Sequence, residues 1–362
     1  MKSPRWVRWI GPEVIVLAAL ALFPLPGALH PRMDLNALLR DWTGASIGSE
    51  LTFIFIFSLL ALGLNVVVGY TGLLHLGIAA FFGIGAYTTG ILTIPSYPFQ
   101  AGFAVSAVLS MAAAAAAGLM LGAPTLRLRG DYLAIVTLGF GEVVRFSIRN
   151  LESITGGTAT LNPIPPPSAA WAIRYEGFFY LALGLLIVVV LLLRNLENSR
   201  LGRAWMAIRE DELAATCMGI NAPRVKMAAF AVAAALAGLA GCLYATKLGN
   251  TADPDGAYSF NRSIIILCCV ILGGLGSIRG TLLGVLLLIG FDSVLAPLLD
   301  RKLQEWDINP DNNRLLTFSN WRFMIFGLAL ILMMRFRPEG LLPSQRVQRE
   351  LHTEEELKIG DL

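Results

Sequence analysis

The sequence predicts an all-α, polytopic integral membrane protein with about 8–10 transmembrane helices, and three observations lead there. Hydrophobic residues make up 56% of 362 and charged residues only 15%, where a soluble domain carries roughly 25% charge. Mean hydropathy is +0.66. Apolar runs recur along almost the whole chain, and Lys and Arg concentrate in alternate gaps between them.

A helix crossing a bilayer needs about 20 mostly apolar residues, because hydrocarbon cannot satisfy exposed backbone amides and a helix satisfies its own. The first candidate, Val14–Leu29, follows Lys2, Arg5 and Arg8. A basic segment before an apolar one also fits a secretory signal peptide, but many later runs are just as apolar, which favours an uncleaved span. The next candidates are Leu51–Val68, Leu73–Ile94, Ala101–Ala123 and Tyr132–Ile148, the last carrying Glu142 and Arg145. Phe178–Leu193, Val225–Thr246, Ser263–Gly276, Thr281–Leu299 and Trp321–Met334 complete the set. Ser263–Gly276 is short enough to admit a re-entrant segment instead of a span.

Loops that stay in the cytoplasm are enriched in Lys and Arg. With every run crossing and the N-terminus inside, and with Lys226 and Arg322 at span edges counted with the adjoining loops, 17 of these residues fall inside and 10 outside, with Arg145 within a span. Both termini are then cytoplasmic. If Ser263–Gly276 only dipped into the membrane, Arg335 and Arg337 would move outside, against the bias. The organisation expected is an N-terminal span and first outer loop over 1–50, a transmembrane domain over 51–342 that includes a cytoplasmic loop at 194–226, and a polar cytoplasmic tail over 343–362. The Glu354–Glu356 run reads as a solvated end.

The net charge of +3 is not gathered into a patch, so nucleic acid is not an expected partner. Cys217, Cys242, Cys268 and Cys269 lack CxxC spacing, which points to packing rather than to a metal or a disulfide framework. The histidines, at 30, 75 and 352, form no metal-ligand pattern. No GxxxxGK[ST] phosphate loop occurs; Gly273 to Thr281 is glycine-rich, but Arg279 stands at the wrong spacing in an apolar context. The chain is therefore expected to bind no cofactor and to be no enzyme by itself.

Small residues let lipid-embedded helices approach closely. They crowd at Gly69, Gly72, Gly77, Gly83 and Gly85, at Gly238 and Gly241, and at Gly273, Gly274, Gly276, Gly280 and Gly284. Such glycines serve helix packing, or they mark broken helix lining a polar path. Deep ionisable groups are few: Glu142 and Arg145 share a helical face, and Asp292 and His75 are the others. The candidate translocation path comprises Asn65, Gly69, Tyr70, Thr71, Gly72, His75, Gly83, Gly85, Tyr87, Thr137 and Glu142. The lack of an evident ion site weighs against a cation-coupled secondary carrier.

In the 194–226 loop, Leu201, Trp205 and Ile208 recur at helical spacing, Arg209, Glu210, Asp211 and Glu212 form a polar cluster, and Gly219 with Pro223 reads as a stop. This predicts a short surface helix. It either rests in solvent or on headgroups as a linker, or passes force from a partner to the spans.

Gly63 to Tyr87, GLNVVVGYTGLLHLGIAAFFGIGAY, resembles the signature of branched-chain amino-acid ABC permeases, specifically the longer of their two permease subunits. Leu128 to Glu142, Thr155-Gly-Gly157, Gly202 to Gly219, Gly273 to Gly276 with Gly280-Thr281, and Phe336 to Leu341 are also similar to that family, so the resemblance runs from about residue 50 to residue 342. It implies an ABC importer permease fold in the bacterial inner membrane. It also implies a heterodimer with a second permease subunit, two cytoplasmic ATPase subunits that use ATP and Mg, and a periplasmic substrate-binding protein. Arg203 to Gly219 is then similar to the coupling helix, with Arg203, Trp205, Ile208, Arg209, Glu210, Glu212 and Gly219 as its residues. Ala214-Ala-x-x-x-Gly219 matches the core of the family's loop motif, while the motif's acidic position falls at Leu213, one place after Glu212. The implied solutes are leucine, isoleucine and valine. Urea or short amides are the alternative, because no residue set dedicated to a zwitterion stands out.

Overall fold

The computed structural model describes residues 17, 47–125, 130–167, 175–305, 317–337 and 339–343. Apart from Leu17, the first expected span, Val14–Leu29, lies outside these residues, as do the N-terminal basic segment, Arg127 and Arg129, and the tail from residue 344. The described residues form helices and connecting turns. Helix α1 is Ile47–Asn65, α2 Ile78–Thr93, α3 Phe103–Thr125, α4 Asp131–Asn150 and α5 Tyr175–Glu197. Two short helices come next, α6 (Arg200–Glu210) and α7 (Glu212–Cys217), before the 27-residue α8 (Ala222–Leu248). The remainder comprises α9 (Phe260–Gly273), α10 (Ile278–Gly290), α11 (Ala296–Glu305) and α12 (Arg322–Phe336).

Among the described residues, six helical segments are long and apolar enough to cross a membrane: Gly48–Tyr70, Phe103–Thr125, Gly177–Glu197, Ala222–Leu248, Pro254–Gly273 and Ile278–Gln304. Ile78–Thr93 is apolar but shorter. The short Ser263–Gly276 run is the end of a longer helical segment that starts at Pro254, because Asn261 and Arg262 extend the helix without extending the apolar run. The Leu73–Ile94 run splits differently: its first five residues are outside any helix and the helix begins at Ile78.

α8 forms the centre of the bundle, packed along α3, α2 and α1, while α9 and α10 pack on each other and against α1. Close approach is possible because of small residues. Gly85 of α2 lies so near Gly238 of α8 that an added Cβ would fall 2.5 Å from the Gly238 Cα. A Cβ on Gly238 would in turn sit 2.6 Å from the Ala114 Cβ on α3. At this crossing Ser110 Oγ of α3 donates to the Gly85 carbonyl at 3.0 Å. Cys242, Cys268 and Cys269 are buried in the bundle and Cys217 is exposed.

Two breaks interrupt the helices at one end of the bundle. After α1 the chain widens into a π-helical turn, Val66–Tyr70, where three consecutive β-branched valines disfavour a tight α-turn. Gly72 then turns with φ +70°, a region that favours glycine. The second break, Gly274–Ser277, separates α9 from α10. Exposed amides at membrane depth must find internal partners, and here they do. Leu76 N donates to Thr137 Oγ1 at 3.0 Å, Ala79 N to Ser263 Oγ at 3.1 Å, and Gly276 N to Asn65 Oδ1 at 2.9 Å. The carbonyls ending α9 are served by the C-terminal segment, with Leu341 N on Leu272 O and Leu342 N on Gly273 O, each at 3.0 Å.

The expected single surface helix is two helices. Asp211 adopts an extended conformation (φ −152°, ψ 113°) and its carboxylate accepts from Leu213 N and Ala214 N. A strong N-cap inside the loop therefore restarts the helix. Gly219 (φ +86°) does end α7, but Pro223 lies in the first turn of α8, where its missing N–H costs nothing.

Candidate functional site

The predicted site residues fall into two groups, one around α6, α7 and the helix breaks, the other between α2, α4 and the Pro254–Ala257 turn. At the end that carries α6 and α7, Trp205 is fully buried, donates Nε1–H to Val225 O at 2.7 Å and stacks parallel to Tyr70 with ring centroids 6.4 Å apart. Ile208 packs with Ala215 and Ala222. Arg209, itself exposed, reaches back to donate from Nη1 to the Gly69 carbonyl at 2.5 Å. Arg203 stays exposed and donates to Asn198 O at 2.9 Å. Glu212 meets Lys226 Nζ at 2.7 Å, the lysine being only 4% exposed.

The outward-facing remainder is apolar at its tip. Leu213 is 67% and Met218 84% exposed, flanked by the exposed Glu210 and Asp211.

Asn65, Gly69, Tyr70, Thr71 and His75 are all buried, and Gly72 is exposed beside Arg209. Thr71 Oγ1 donates to Val67 O at 2.6 Å. His75, 1% exposed, stacks on Phe81 at 5.6 Å and meets Phe230 edge-on at 5.5 Å. Neither of its ring nitrogens, nor the Tyr70 hydroxyl, has a hydrogen-bond partner among the described residues.

In the second group, Gly83 lies under the Tyr258 ring, where a Cβ would come within 3.1 Å. Tyr87 OH donates to Ala252 O at 3.4 Å. Glu142 accepts from Arg145 Nε at 2.9 Å and Nη2 at 2.6 Å. Arg145 also pairs with Asp255, which meets Arg149 Nη1 at 2.9 Å. Two cations and two carboxylates thus neutralise one another between α4 and the Pro254–Ala257 turn. Asp255, Lys226 and Gly276 are absent from the sequence-derived set. Asp255 stands 110 residues from Arg145, and its one local signal is the turn Asp253-Pro-Asp-Gly256. Among the described residues no three His, Cys, Asp or Glu side chains gather as a metal site.

Six helical segments long and apolar enough to span, packed into one bundle, are the architecture of a multi-pass membrane protein. More particularly, the chain belongs to the family described as branched-chain amino acid transport system, permease component, whose model matches residues 46–334. It is 38% identical over 325 residues to the high-affinity branched-chain amino acid transport system permease protein LivM of Salmonella typhimurium, covering 83% of this chain and 71% of that protein. The LivM protein of Escherichia coli matches with the same identity and coverage. The autoinducer 2 import system permease protein LsrC of Yersinia enterocolitica is 27% identical over 87% of this chain and 79% of its own length. No solved structure matches the chain.

Proposed function

We propose that this chain is the membrane-spanning permease subunit of an ATP-binding-cassette importer in the bacterial inner membrane. It would pass leucine, isoleucine and valine delivered by a periplasmic binding protein. The observation that carries the reading is the 38% identity to the two LivM permeases across most of the chain. A second permease subunit completes the pathway, and two cytoplasmic ATPase subunits hold the ATP and Mg.

The surface of α6 and α7 supports this division of labour. Its inward side is fastened to the bundle by Trp205 and Arg209, and its outward side presents Leu213 and Met218. That is the arrangement a force-transmitting contact requires: rigid towards the spans and sticky towards the motor. ATP-dependent closure of the ATPases shifts the bundle between outward-open and inward-open states, and it does so only through contacts that differ between them. With the α6–α7 end cytoplasmic, both described breaks lie near that face.

The test is reconstitution of this chain with its genetically neighbouring permease, ATPases and receptor in proteoliposomes. ATP-dependent uptake of labelled leucine, competed by isoleucine and valine but not by urea or autoinducer 2, is the expected result. Uptake of none of the three amino acids would overturn the substrate assignment. Ion-driven uptake by this chain alone would overturn the importer.

A further inference from the structure

We propose that Arg209 is a positioning residue that links the surface helix α6 to both helix breaks, so that motion of α6 is delivered to the π-helical end of α1 and the α9–α10 break. The inference rests on the importer reading and adds the residue through which the importer's surface loop would act.

A vacated carbonyl makes the link possible. If α1 continued as an α-helix through Gly72, the Leu73 amide would serve Gly69 O. Leu73 N instead points to Val67 O at 3.3 Å. Gly69 O is thereby left for another donor, and the guanidinium of Arg209 takes it. A charged donor makes the stronger kind of hydrogen bond. The same side chain lies against the adjoining turn, since a Cβ on Gly72 would be 3.0 Å from Arg209 Cγ. Its head also reaches the second break: a Cβ on Gly276 would be 3.3 Å from Arg209 Nη1 and 3.2 Å from Gly69 O. Asn65 Oδ1 closes the set by holding Gly276 N. One guanidinium thus stands where α6 and both breaks meet. Trp205 docks α6 independently, through Val225 O and the Tyr70 ring, and Asn65 still ties Gly276 to α1, so loss of Arg209 removes the guanidinium bridge without undocking the helix.

The site itself offers a covalent substitute for this link. A Cβ at position 72 would lie 3.7 Å from the Arg209 Cβ, inside the range of roughly 3.5–4.5 Å that a disulfide requires. The experiment uses the full reconstituted importer with Cys217→Ser as background, measuring leucine uptake and ATP hydrolysis on the same vesicles. Arg209→Met should assemble with the ATPases yet lose about tenfold in uptake per ATP, the size expected for a hydrogen bond from a charged group. Gly72→Cys with Arg209→Cys should be equally uncoupled when reduced and recover most of its uptake per ATP when oxidised. Because reduced and oxidised forms are one protein, strain at position 72 is common to both. Normal coupling in Arg209→Met, failure of the disulfide to form, or a formed disulfide without recovery would each overturn the proposal. No ATP-dependent uptake by the unmodified assembly would mark failure of the importer reading, and this inference would fall with it.

Discussion

At the scale of single residues, the informative contacts are those in which a polar group is buried with one partner. Lys226 is nearly sealed, and its ammonium rests on Glu212, which is 29% exposed. Removing one partner of a buried pair costs more than removing both, because a stranded charge keeps its desolvation penalty. Glu212→Ala should therefore destabilise the purified chain by about 2 kcal/mol, below the 3–5 of a fully buried pair because water reaches the carboxylate. Lys226→Met should cost less than about 1 kcal/mol, since a similar volume remains and the carboxylate left behind is reached by water. Apparent Tm in detergent, monitored by tryptophan fluorescence, checks the order, and a larger loss for Lys226→Met would contradict it. In the sequence, Glu212 and Arg209 read as members of one polar surface cluster. Chain order does not say which way a side chain faces: both turn towards their own chain, and the outward face falls to Leu213 and Met218.

At the scale of elements, most helices were legible because hydrocarbon demands long apolar runs: the runs from Leu51, Phe178, Val225 and Thr281 each lie within a helical segment long enough to span, and the run from Ala101 does so from Phe103 on. What hydropathy cannot show is where backbone leaves the helix inside an apolar run. Leu73 to Gly77 is as apolar as the helix it leads into, yet it is not helical, and Thr137 and Ser263 supply acceptors for the Leu76 and Ala79 amides around the start of α2. Those acceptors lie far along the chain. Equally, the glycine clusters suggested close packing without naming partners, and the Gly85–Gly238 pairing is visible only in the fold. Gly238→Val should push α8 from α2 and α3 and cost about 1–3 kcal/mol, the usual range for overpacking. Gly184, which is exposed on α5 with open space around it, provides the contrast: Gly184→Ala should leave Tm unchanged or raise it, as removal of a helix-interior glycine gains up to about 1 kcal/mol. Equal losses in the two variants would show that the crossing is not specifically tight.

At the scale of the whole molecule, membrane residence and family were legible from composition and from the Gly63–Tyr87 stretch, whereas the charged cluster of Glu142, Arg145, Arg149 and Asp255 was legible only as its local half. The fold leaves Leu213 and Met218 exposed at α7. Leu213→Glu with Met218→Glu should abolish co-purification of the ATPases while leaving the chain's stability within about 0.5 kcal/mol of the parent, the usual range for surface changes. Unchanged co-purification would move the docking surface elsewhere.

The polarity of α4 also bears on how the chain is made. With Asp131, Glu142, Arg145 and Arg149 on one helix, and each charge near a helix centre disfavouring insertion by about 2.5–3.5 kcal/mol, this segment gains little by entering lipid as it leaves the ribosome. Its neighbour α2 is synthesised earlier, but Asp255, the carboxylate that joins Arg145 and Arg149, emerges more than a hundred residues later. The topology of α4 is thus completed late and from downstream, so truncated chains that stop before Asp255 should leave this helix unsettled for the membrane's proteases to find.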